Sequence, residues 1–353
     1  MDKIIEQDIK EITDSIKKIA QKLEGKTLLV TGGTGFIGSY ILDAVSFLNE
    51  NHFKKPCNLI CLDNLIVGDE HRISRLLEKE YFKFIKHDIS KPFEYADSID
   101  FIIHAASIAS PTFYRLHPIE TIDANVLGTR NLLELGAEKK IKSFLYFSSS
   151  ETYGDPIEGN IPTPETYKGN VSFTGPRACY DESKRLGETL CIAFFNQRNV
   201  PVKIARPFNV YGPGMRLDDK RVIPDFMNNV LHNEPIIMYS DGKDTRSFCY
   251  ATDAIIGFFK ILLSDFNGEP FNVGNDAEEI SMIKLAETIK EISGNKIEII
   301  SRESKDKNYL KDNPHRRLPD LAKIKKLLNY EPKTDLKTGL KKSIDWYKLA
   351  YNL

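Results

Sequence analysis

The chain has 353 residues, of which 41% are hydrophobic and 28% charged, and this balance allows a sizeable buried core. Its formal net charge of -1 gives no general attraction to nucleic acid or to an anionic membrane, so any phosphate recognition must be local. The five cysteines are scattered, with no C-x-x-C pair, which indicates reduced cytoplasmic thiols without a metal site.

The first 24 residues predict an amphipathic helix. Apolar residues recur at alternating steps of four and three from Ile5 to Leu23, and this spacing lines one face of a helix. Lysines and acids stand where a signal peptide would have its apolar segment, and no apolar run in the chain approaches the roughly 20 residues of a membrane span. The apolar face can be buried on the helix's own domain or in an oligomer contact, and the sequence leaves both open.

Residues 25–206 alternate between short apolar runs and helical stretches. Strands are predicted at 27–31, 58–63, 82–86, 101–104, 143–148 and 202–206. Helices are predicted near 37–49, 117–138 and 180–198. This order predicts an α/β fold with a Rossmann-like, doubly wound parallel sheet that binds the cofactor. Residues 207–353 contain several prolines and a helix near 281–293, and they predict a smaller substrate-binding region, part of which returns to the Rossmann domain.

The first predicted strand runs into a glycine turn that opens a helix. Gly32, Gly35 and Gly38 have the G-x-x-G-x-x-G spacing, and Gly33 completes an overlapping G-x-G-x-x-G. Glycines let the backbone approach a pyrophosphate, which then lies at the positive end of the helix dipole. No Gly-Lys-Ser/Thr follows, which excludes a Walker P-loop. The segment therefore predicts a dinucleotide site.

The acidic residues that follow the second and third strands suit the rest of a dinucleotide. Asp63 lies about 25 residues after the last glycine and can accept from both ribose hydroxyls. It would repel a 2′-phosphate, which favours NAD over NADP; the alternative is an acid that merely ends a strand. Asp88 suits an adenine contact or a turn. The predicted cofactor-binding residues are Gly32, Gly35, Phe36, Ile37, Gly38, Asp63, Asn64, Asp88, Ile89, Ala105, Ala106, Tyr180 and Lys184.

A tyrosine and a lysine four residues apart predict the site of hydride transfer. Tyr180 and Lys184 share one face of a helix, so the ammonium can lower the pKa of the phenol. Ser149, at a strand end, can hydrogen-bond the hydroxyl whose proton Tyr180 takes while hydride leaves the same carbon. The alternative is a surface pair of helix residues, but the preceding glycine turn, Asp63 and the serine-rich strand end favour catalysis.

With these residues the chain resembles the extended short-chain dehydrogenases/reductases, and among them most of all the UDP-glucuronate decarboxylases, also called UDP-xylose synthases. The resemblance covers almost everything from Lys26 onward. Residues 175–182, Gly-Pro-Arg-Ala-Cys-Tyr-Asp-Glu, are the most discriminating segment. The other segments are Ala-Ser-Pro at 109–111 with Tyr114, residues 150–156, Arg-Pro-Phe-Asn at 206–209, Thr-Arg-Ser-Phe at 245–248 and Arg-Leu-Pro-Asp at 317–320.

The resemblance implies NAD-dependent oxidation of a nucleotide sugar at C4, loss of carbon dioxide from C5 and reduction of the 4-ketone. It implies that Tyr180 and Lys184 carry the proton and hydride chemistry, that Ser149 orients the hydroxyl, and that Glu151 acts at C5. Arg246 would pair with a carboxylate, although an ordinary salt bridge is the alternative. Asn209 and one of two neighbouring arginines would lie near the diphosphate. The implied substrate contacts are Ser107, Tyr114, Asn209, Arg246, Arg316 and Arg317.

The resemblance also implies a homodimer built on the helices near 117–138 and 180–198. Departures at 172–174, around Asn209 and in the N-terminal helix bear on the substrate more than on the cofactor chemistry. A C4-epimerase or 4-dehydrogenase of another nucleotide sugar therefore stays open. A 4,6-dehydratase is disfavoured because Ser150 stands where that group has an aspartate. A non-catalytic NAD-binding sensor or scaffold is disfavoured because Tyr180 and Lys184 are both present.

Overall fold

The strands of the chain make one large sheet and several small ones. In the computed structural model, which describes residues 2–304, 306, 308 and 310–352, the strands are β1 (Thr27–Thr31), β2 (Asn58–Asp63), β3 (Phe82–Lys86), β4 (Phe101–His104), β5 (Ser143–Phe147), β6 (Val202–Pro207), β7 (Val210–Tyr211), β8 (Ile236–Met238), β9 (Thr245–Arg246), β10 (Cys249–Tyr250), β11 (Glu269–Val273), β12 (Ile280–Ser281), β13 (Ile299–Ser301) and β14 (Arg316–Arg317). The small sheets pair β7 with β10, β8 with β13, and β9 with β12 and β14.

The large sheet has seven parallel strands in the order β11-β6-β5-β4-β1-β2-β3. Every residue of β1 and of β5 is buried, as expected for a parallel sheet that is covered on both faces. The predicted Rossmann-like, doubly wound fold is thereby confirmed. In register, Thr31 of β1 lies beside Leu62 of β2 and His104 of β4, so the loops after these three strands leave the same edge of the sheet.

Helices cover the two faces of the large sheet and build much of the C-terminal region. They are α1 (Lys3–Ala20), α2 (Phe36–Asn51), α3 (Pro111–Leu116), α4 (Pro118–Asp123), α5 (Thr129–Lys139), α6 (Ala178–Arg198), α7 (Val222–Leu231), α8 (Ala251–Leu262), α9 (Met282–Ser293), α10 (Ala322–Leu328) and α11 (Leu336–Tyr351). Over the described ranges, none of the helices combines the length and the apolar character that crossing a bilayer requires.

The predicted elements of the first 206 residues are present, with two differences. The strand predicted at 143–148 ends at Phe147, because Ser149 already caps a short 3₁₀ helix. The single helix predicted near 117–138 is broken by a π-helical turn at Ala124–Gly128 between α4 and α5. At this turn the buried Asn125 donates from its side chain to Ser183 of α6, 2.9 Å away. Apolar periodicity alone does not reveal such a contact between two helices.

The chain returns to the large sheet after residue 206. β11 adds a parallel edge strand beside β6, with Phe271 paired to Ala205. The helix predicted near 281–293 is α9. The sequence pattern did not predict α7, α8 or α11. The division of the chain at residues 24 and 206 stays a prediction.

The N-terminal helix packs on its own chain. Its apolar face, formed by Ile5, Ile9, Ile12 and Ile16, is buried, and the helix lies against α2 and α8. Of the two interpretations that the sequence left open, the structure therefore has the helix packed on its own domain.

A buried carboxylate fixes this helix to three other elements. Asp8 has no exposed surface, and its oxygens accept hydrogen bonds from Tyr40 Oη of α2 (3.1 Å), Tyr250 Oη of β10 (2.7 Å) and Lys342 Nζ of α11 (3.1 Å). Burial favours the neutral acid and raises the pKa of Asp8, while its three partners oppose that rise. Since α2 follows the glycine turn and β10 belongs to the C-terminal region, Asp8 joins the two parts of the molecule.

Replacing Asp8 by alanine should lower the free energy of unfolding by about 2 kcal/mol, because two buried hydroxyls and a partly exposed ammonium lose their acceptor. Urea denaturation at neutral pH measures the loss. Asp14→Ala, on the exposed side of the same helix, is the matched control and should cost less than about 0.5 kcal/mol. Equal losses in the two variants would contradict the role of Asp8.

Candidate active site

A cavity of about 1200 Å³ runs along the carboxyl edge of the large sheet. The Rossmann domain and the C-terminal region both contribute to its walls. Of the residues that the sequence singled out, it is lined by Gly32, Gly35, Phe36, Ile37, Gly38, Asp63, Asn64, Asp88, Ile89, Ala105, Ala106, Ser107, Ser149, Glu151, Tyr180, Lys184, Asn209, Arg246 and Arg317. The fold therefore gathers most of the predicted site around one space.

The glycine turn has the shape of a cradle that side chains would fill. Gly32 has φ of +70°, and a Cβ there would lie 2.8 Å from the backbone nitrogen of Ala106. A Cβ on Gly38 would collide with the carbonyl oxygen of Gly32. Helix α2 begins at Phe36, and Gly35 offers no side chain to cap its first amides. These amides, at the positive end of the helix, fit the pyrophosphate of a dinucleotide.

Asp63 lines the cavity and also holds the glycine turn in place. Its Oδ2 accepts from the backbone nitrogen (3.1 Å) and from Oγ1 (2.7 Å) of Thr34, and its Oδ1 accepts from the backbone nitrogen of Leu65 (2.9 Å). The sequence predicted Asp63 but not Thr34. The sequence feature that could have identified Thr34 is its place within Gly-Gly-Thr-Gly, where a short polar side chain can hydrogen-bond a neighbouring acid. The position of the carboxylate suits a ribose.

The ends of β3 and β4 form the next part of the wall. Asp88 lines the cavity, and its Oδ1 accepts from the backbone nitrogen of Ser90 (3.0 Å), so it is a turn carboxylate as well as a cavity residue. Ala106 donates its backbone N–H to Thr31 Oγ1 (3.2 Å). Within the described chain the hydroxyl of Ser107 is buried without a hydrogen-bond partner, which leaves it available to a ligand.

Helix α6 brings the tyrosine and the lysine to the end of β5. Lys184 is 2% exposed, and its Nζ donates to the carbonyl oxygen of Phe147 (2.8 Å) and lies 5.7 Å from the centre of the Tyr180 ring. Burial disfavours the ammonium and lowers the pKa of Lys184 to about 7. The lysine is therefore poised between its charged and neutral forms near neutral pH.

The pKa of the Tyr180 phenol is raised, whereas the sequence suggested that it would be lowered. Burial raises its pKa to about 12, while a hydrogen bond with Ser149 and the charge of Arg221 act in the opposite direction. The expected lowering by Lys184 is not among the main influences on this pKa, and the Nζ of the lysine donates to the carbonyl of Phe147. Ser149 Oγ accepts from the backbone nitrogen of Glu151 (3.2 Å), which fixes the hydroxyl next to the phenol.

Two arginines clamp Glu151. Arg177 Nη2 donates to its Oε2 (2.5 Å), and Arg317 donates from Nη1 (2.6 Å) and Nη2 (2.5 Å) to its two oxygens. Burial alone would raise the pKa of Glu151, but the two guanidinium charges lower it to about 2. Glu151 is therefore ionised at neutral pH and can accept protons or hydrogen bonds but not donate them.

The partners of this clamp differ from the sequence expectations. One of Arg316 and Arg317 was expected near a diphosphate, and Arg317 is bonded to Glu151. The sequence did not predict a role for Arg177. The sequence feature that could have identified Arg177 is its position three residues before Tyr180, at the start of α6. Arg246 lines the cavity, but it donates to the main-chain carbonyls of Thr245 (2.7 Å), His315 (3.2 Å) and Pro314 (2.5 Å).

Three further predicted contacts are placed as follows. Asn209 lines the cavity and donates from its side chain to the carbonyl of Ser247 (2.8 Å). Tyr114 does not line the cavity, because its ring stacks behind Tyr180 with centroids 5.0 Å apart. Arg316 does not line it either, because its guanidinium is paired with Glu279 (2.8 Å).

A second carboxyl lies behind the clamp. Asp181 is 3% exposed, and its Oδ2 is 3.8 Å from Arg177 Nε. Burial and the negative charge of Glu151 raise the pKa of Asp181 to about 8. At neutral pH Asp181 is therefore mostly protonated. The cavity end beside Tyr180 then carries the charges of Arg177, Arg246 and Arg317 against those of Glu151 and Asp244, while the adjacent Arg221 is paired with Asp219.

Residues 28–274 match the NAD dependent epimerase/dehydratase family. The chain is 40% identical over 321 residues to UDP-glucuronic acid decarboxylase 1 of Arabidopsis thaliana, covering 91% of this chain and 69% of that protein. An epimerase of Methanothermobacter thermautotrophicus has a similar structure, with a TM-score of 0.82, 27% identity and coverage of 96% and 97% of the two chains. UDP-glucuronic acid 4-epimerase of Bacillus cereus, solved with UDP-glucuronic acid and NAD, has a TM-score of 0.76, 27% identity and coverage of 92% and 100%.

The raised pKa of Asp181 predicts a pH-dependent loss of stability. Between its ordinary value of 3.8 and about 8 the folded state binds more protons than the unfolded state, so this carboxyl makes stability fall as the pH rises through that window. Asp181→Asn mimics the protonated acid and removes the effect. Urea unfolding should show the variant gaining more than about 1 kcal/mol relative to the natural chain between pH 5 and pH 9.

The exposed Asp345→Asn is the matched control and should show no such gain. A difference between Asp181→Asn and the natural chain that stays constant across this range would show that Asp181 is ionised in the folded state throughout.

Proposed function

Because the chain belongs to the NAD dependent epimerase/dehydratase family, we propose that it decarboxylates UDP-glucuronate to UDP-xylose through a 4-keto sugar. Its relatives named UDP-glucuronic acid decarboxylase are 36–40% identical over most of the chain. The observation that carries the choice of substrate is the excess of arginine charge beside Tyr180. A sugar that bears a carboxylate suits this end of the cavity better than a neutral sugar.

Three arginines provide this excess. Arg177 and Arg317 are mostly buried and share the one carboxylate of Glu151, while the hydrogen bonds shown for Arg246 go to neutral carbonyls. Guanidinium groups bind carboxylates in a fork when their geometry allows it. The arrangement supports recognition of a uronate at this position, next to the phenol that would act on its neighbouring carbon.

The residues of the site can carry the proton transfers of the reaction. Ser149 hydrogen-bonds the C4 hydroxyl and Tyr180 takes its proton, while Lys184 in its charged form stabilises the phenolate. NAD, when bound over the glycine turn, supplies the acceptor and later the donor of the C4 hydride. The carboxylate on C5 is then β to a ketone, so the bond that holds it can break and the ketone oxygen receives the electron pair. The enolate that remains takes a proton at C5 from water, and the returning hydride then reduces the ketone. Ionised Glu151, which lines the cavity, would accept a hydrogen bond from this water and orient it.

Incubation with UDP-glucuronate and NAD should give a sugar nucleotide that has lost one carboxyl group, as measured by mass spectrometry. Tyr180→Phe should bind the cofactor normally while kcat falls at least about 100-fold, because the proton acceptor is gone. Tyr95→Phe, outside the cavity, is the matched control and should keep full activity.

A product of unchanged mass but altered stereochemistry would instead identify a C4-epimerase, the activity named for the Bacillus cereus structure. No product from any of a panel of nucleotide sugars would refute an enzymatic role.

We further propose that the chain forms a homodimer through the outer faces of α3 to α6. Large apolar side chains are exposed along these helices although they are not needed for the core of one chain. They include Leu116 (66% exposed), Ile119 (64%), Leu127 (45%) and Leu186 (46%). An apolar patch of this kind on a folded chain is typical of a subunit interface.

Ile119→Glu combined with Leu186→Glu should convert the dimer to a monomer, since two charges would have to be buried in each half of the contact. Light scattering after gel filtration measures the mass. Leu349→Glu, on α11 and 63% exposed, is the matched control and should leave the dimer intact. A natural chain that is monomeric at all concentrations would contradict the proposal.

A cytoplasmic location is also part of the proposal. All five cysteines lie in the described part of the chain, and none of them forms a disulfide. Burial raises the pKa of the Cys57 thiol to about 12 and keeps it protonated. Unpaired thiols of this kind are usual where glutathione keeps proteins reduced.

A further inference from the structure

A mostly buried ion pair lies between α6 and the carboxyl ends of β5 and β6. Arg206 donates from Nε to Glu188 Oε1 (2.7 Å) and from Nη2 to Glu188 Oε2 (2.5 Å), so the contact is bidentate. The two side chains are 11% and 13% exposed. Ser148 Oγ donates a third hydrogen bond to Glu188 Oε1 (2.5 Å). Two donors of Arg206 on β6 and one of Ser148, directly after β5, thus converge on one carboxylate of the helix.

This pair is adjacent to the reacting residues. Ser148 stands between Phe147, whose carbonyl accepts from Lys184, and Ser149. On α6, Glu188 follows Lys184 by one helical turn. The helix and the strand end are therefore held together by two buried hydrogen bonds side by side, one from the lysine and one to the glutamate. Any shift of the strand end would move the hydroxyl of Ser149.

Arg206 extends the same network to the other side of the strand end. Its Nη1 donates to Tyr153 Oη (2.8 Å) and to the carbonyl of Glu165 (3.0 Å). Tyr153 in turn donates to Asn272 Oδ1 of β11 (2.7 Å). Tyr153 closes the short 3₁₀ helix that begins just after Ser149, so this helix is fixed at both of its ends.

Glu188 also acts on Lys184 through its charge. Burial lowers the pKa of Lys184, and the carboxylate of Glu188 opposes this effect. Cys191 would oppose it as a thiolate, but burial raises the pKa of that thiol well above its usual value, so it is neutral. The titratable and charged groups that face Lys184 or Glu188 are His104 on β4, Tyr146 on β5, Arg206 on β6, and Tyr180 and Cys191 on α6.

Among these groups, His104 and Tyr146 do not supply a negative charge that would stabilise the ammonium form of Lys184. Burial lowers the pKa of His104 to about 3 and raises that of Tyr146 well above its usual value, so both are neutral near pH 7. Arg206 is positive and would work against the ammonium, but it is paired with Glu188. The carboxylate of Glu188 is thus the negative charge that α6 itself provides for the lysine.

We propose that Glu188 is a positioning residue of the reaction. Through Ser148 it fixes the strand end that carries Ser149, and its charge favours the ammonium form of Lys184. It acts through these neighbours and does not touch the reacting atoms. The proposal rests on the proposed function, in which the charged lysine assists Tyr180 in the proton transfer at C4.

Glu188→Gln tests the charge because it keeps the shape of the side chain. With UDP-glucuronate and NAD, kcat should fall about tenfold or more while KM changes less than about threefold, since ground-state binding is untouched. The alkaline limb of the kcat profile should move to lower pH, because without the carboxylate Lys184 loses its proton earlier. Glu188→Asp keeps the charge and should return the alkaline limb of the kcat profile to the pH at which the natural chain has it.

Two variants separate charge from position. Ser148→Ala removes the hydrogen bond and leaves the carboxylate, so kcat should fall without a shift of the limb. Glu287→Gln, exposed on α9 and outside both the cavity and the proposed dimer contact, is the matched control and should change neither. These variants keep the proposal testable if Glu188→Gln fails to fold, which thermal unfolding of the purified chain would reveal.

A readout without turnover is the titration of Lys184 by NMR, with its signal assigned from Lys184→Met. The titration midpoint should be lower in Glu188→Gln than in the natural chain. An active natural chain whose Gln variant keeps the same midpoint, or the same kcat and pH profile, would overturn this inference, as would a normal kcat in Ser148→Ala. An inactive natural chain with a shifted midpoint would refute the proposed function and leave the electrostatic step supported.

Discussion

The contact between helix α6 and the carboxyl end of β5 determines where chemistry can take place in this protein. Lys184 donates to the carbonyl of Phe147, and one turn further Glu188 accepts from Ser148. Both hydrogen bonds are largely removed from water, so breaking either would leave a polar group without a partner at a cost. Ser149 follows directly and is thereby held beside the phenol of Tyr180, at the edge of the sheet where the glycine turn also lies.

Burial alone does not determine the charges of this site, because neighbouring residues change its effect. Glu151 and Asp181 are both well removed from water, yet two arginines lower the pKa of the first while the charge of Glu151 raises that of the second. Lys184 forms no ion pair within the described part of the chain, and burial lowers its pKa. These environments give the cavity end beside Tyr180 its excess of positive charge and the phenol a lysine that titrates near neutral pH.

The two parts of the molecule meet around the same cavity and are fixed to each other at several points. Asp8 of the N-terminal helix binds Tyr40 of the cofactor domain and Tyr250 of the C-terminal region. On the opposite side, Arg317 reaches Glu151 from near the end of the chain. A substrate bound between the glycine turn and the C-terminal region therefore meets walls whose relative position is set by buried polar contacts.

The sequence by itself determined the parts of this protein that depend on local spacing. The glycines of the turn, the acid at the end of β2 and the pair Tyr180 and Lys184 were predicted because a strand, a tight turn and a helix impose fixed offsets along the chain. Only the tertiary structure decided that Glu151 is clamped by Arg317, 166 residues away in sequence, and that Arg316 beside it faces Glu279 instead. It also decided which ionisable groups are buried, and so the direction in which each pKa moves. Long-range packing sets both properties, and no local pattern encodes which distant side chains will share a low-dielectric space.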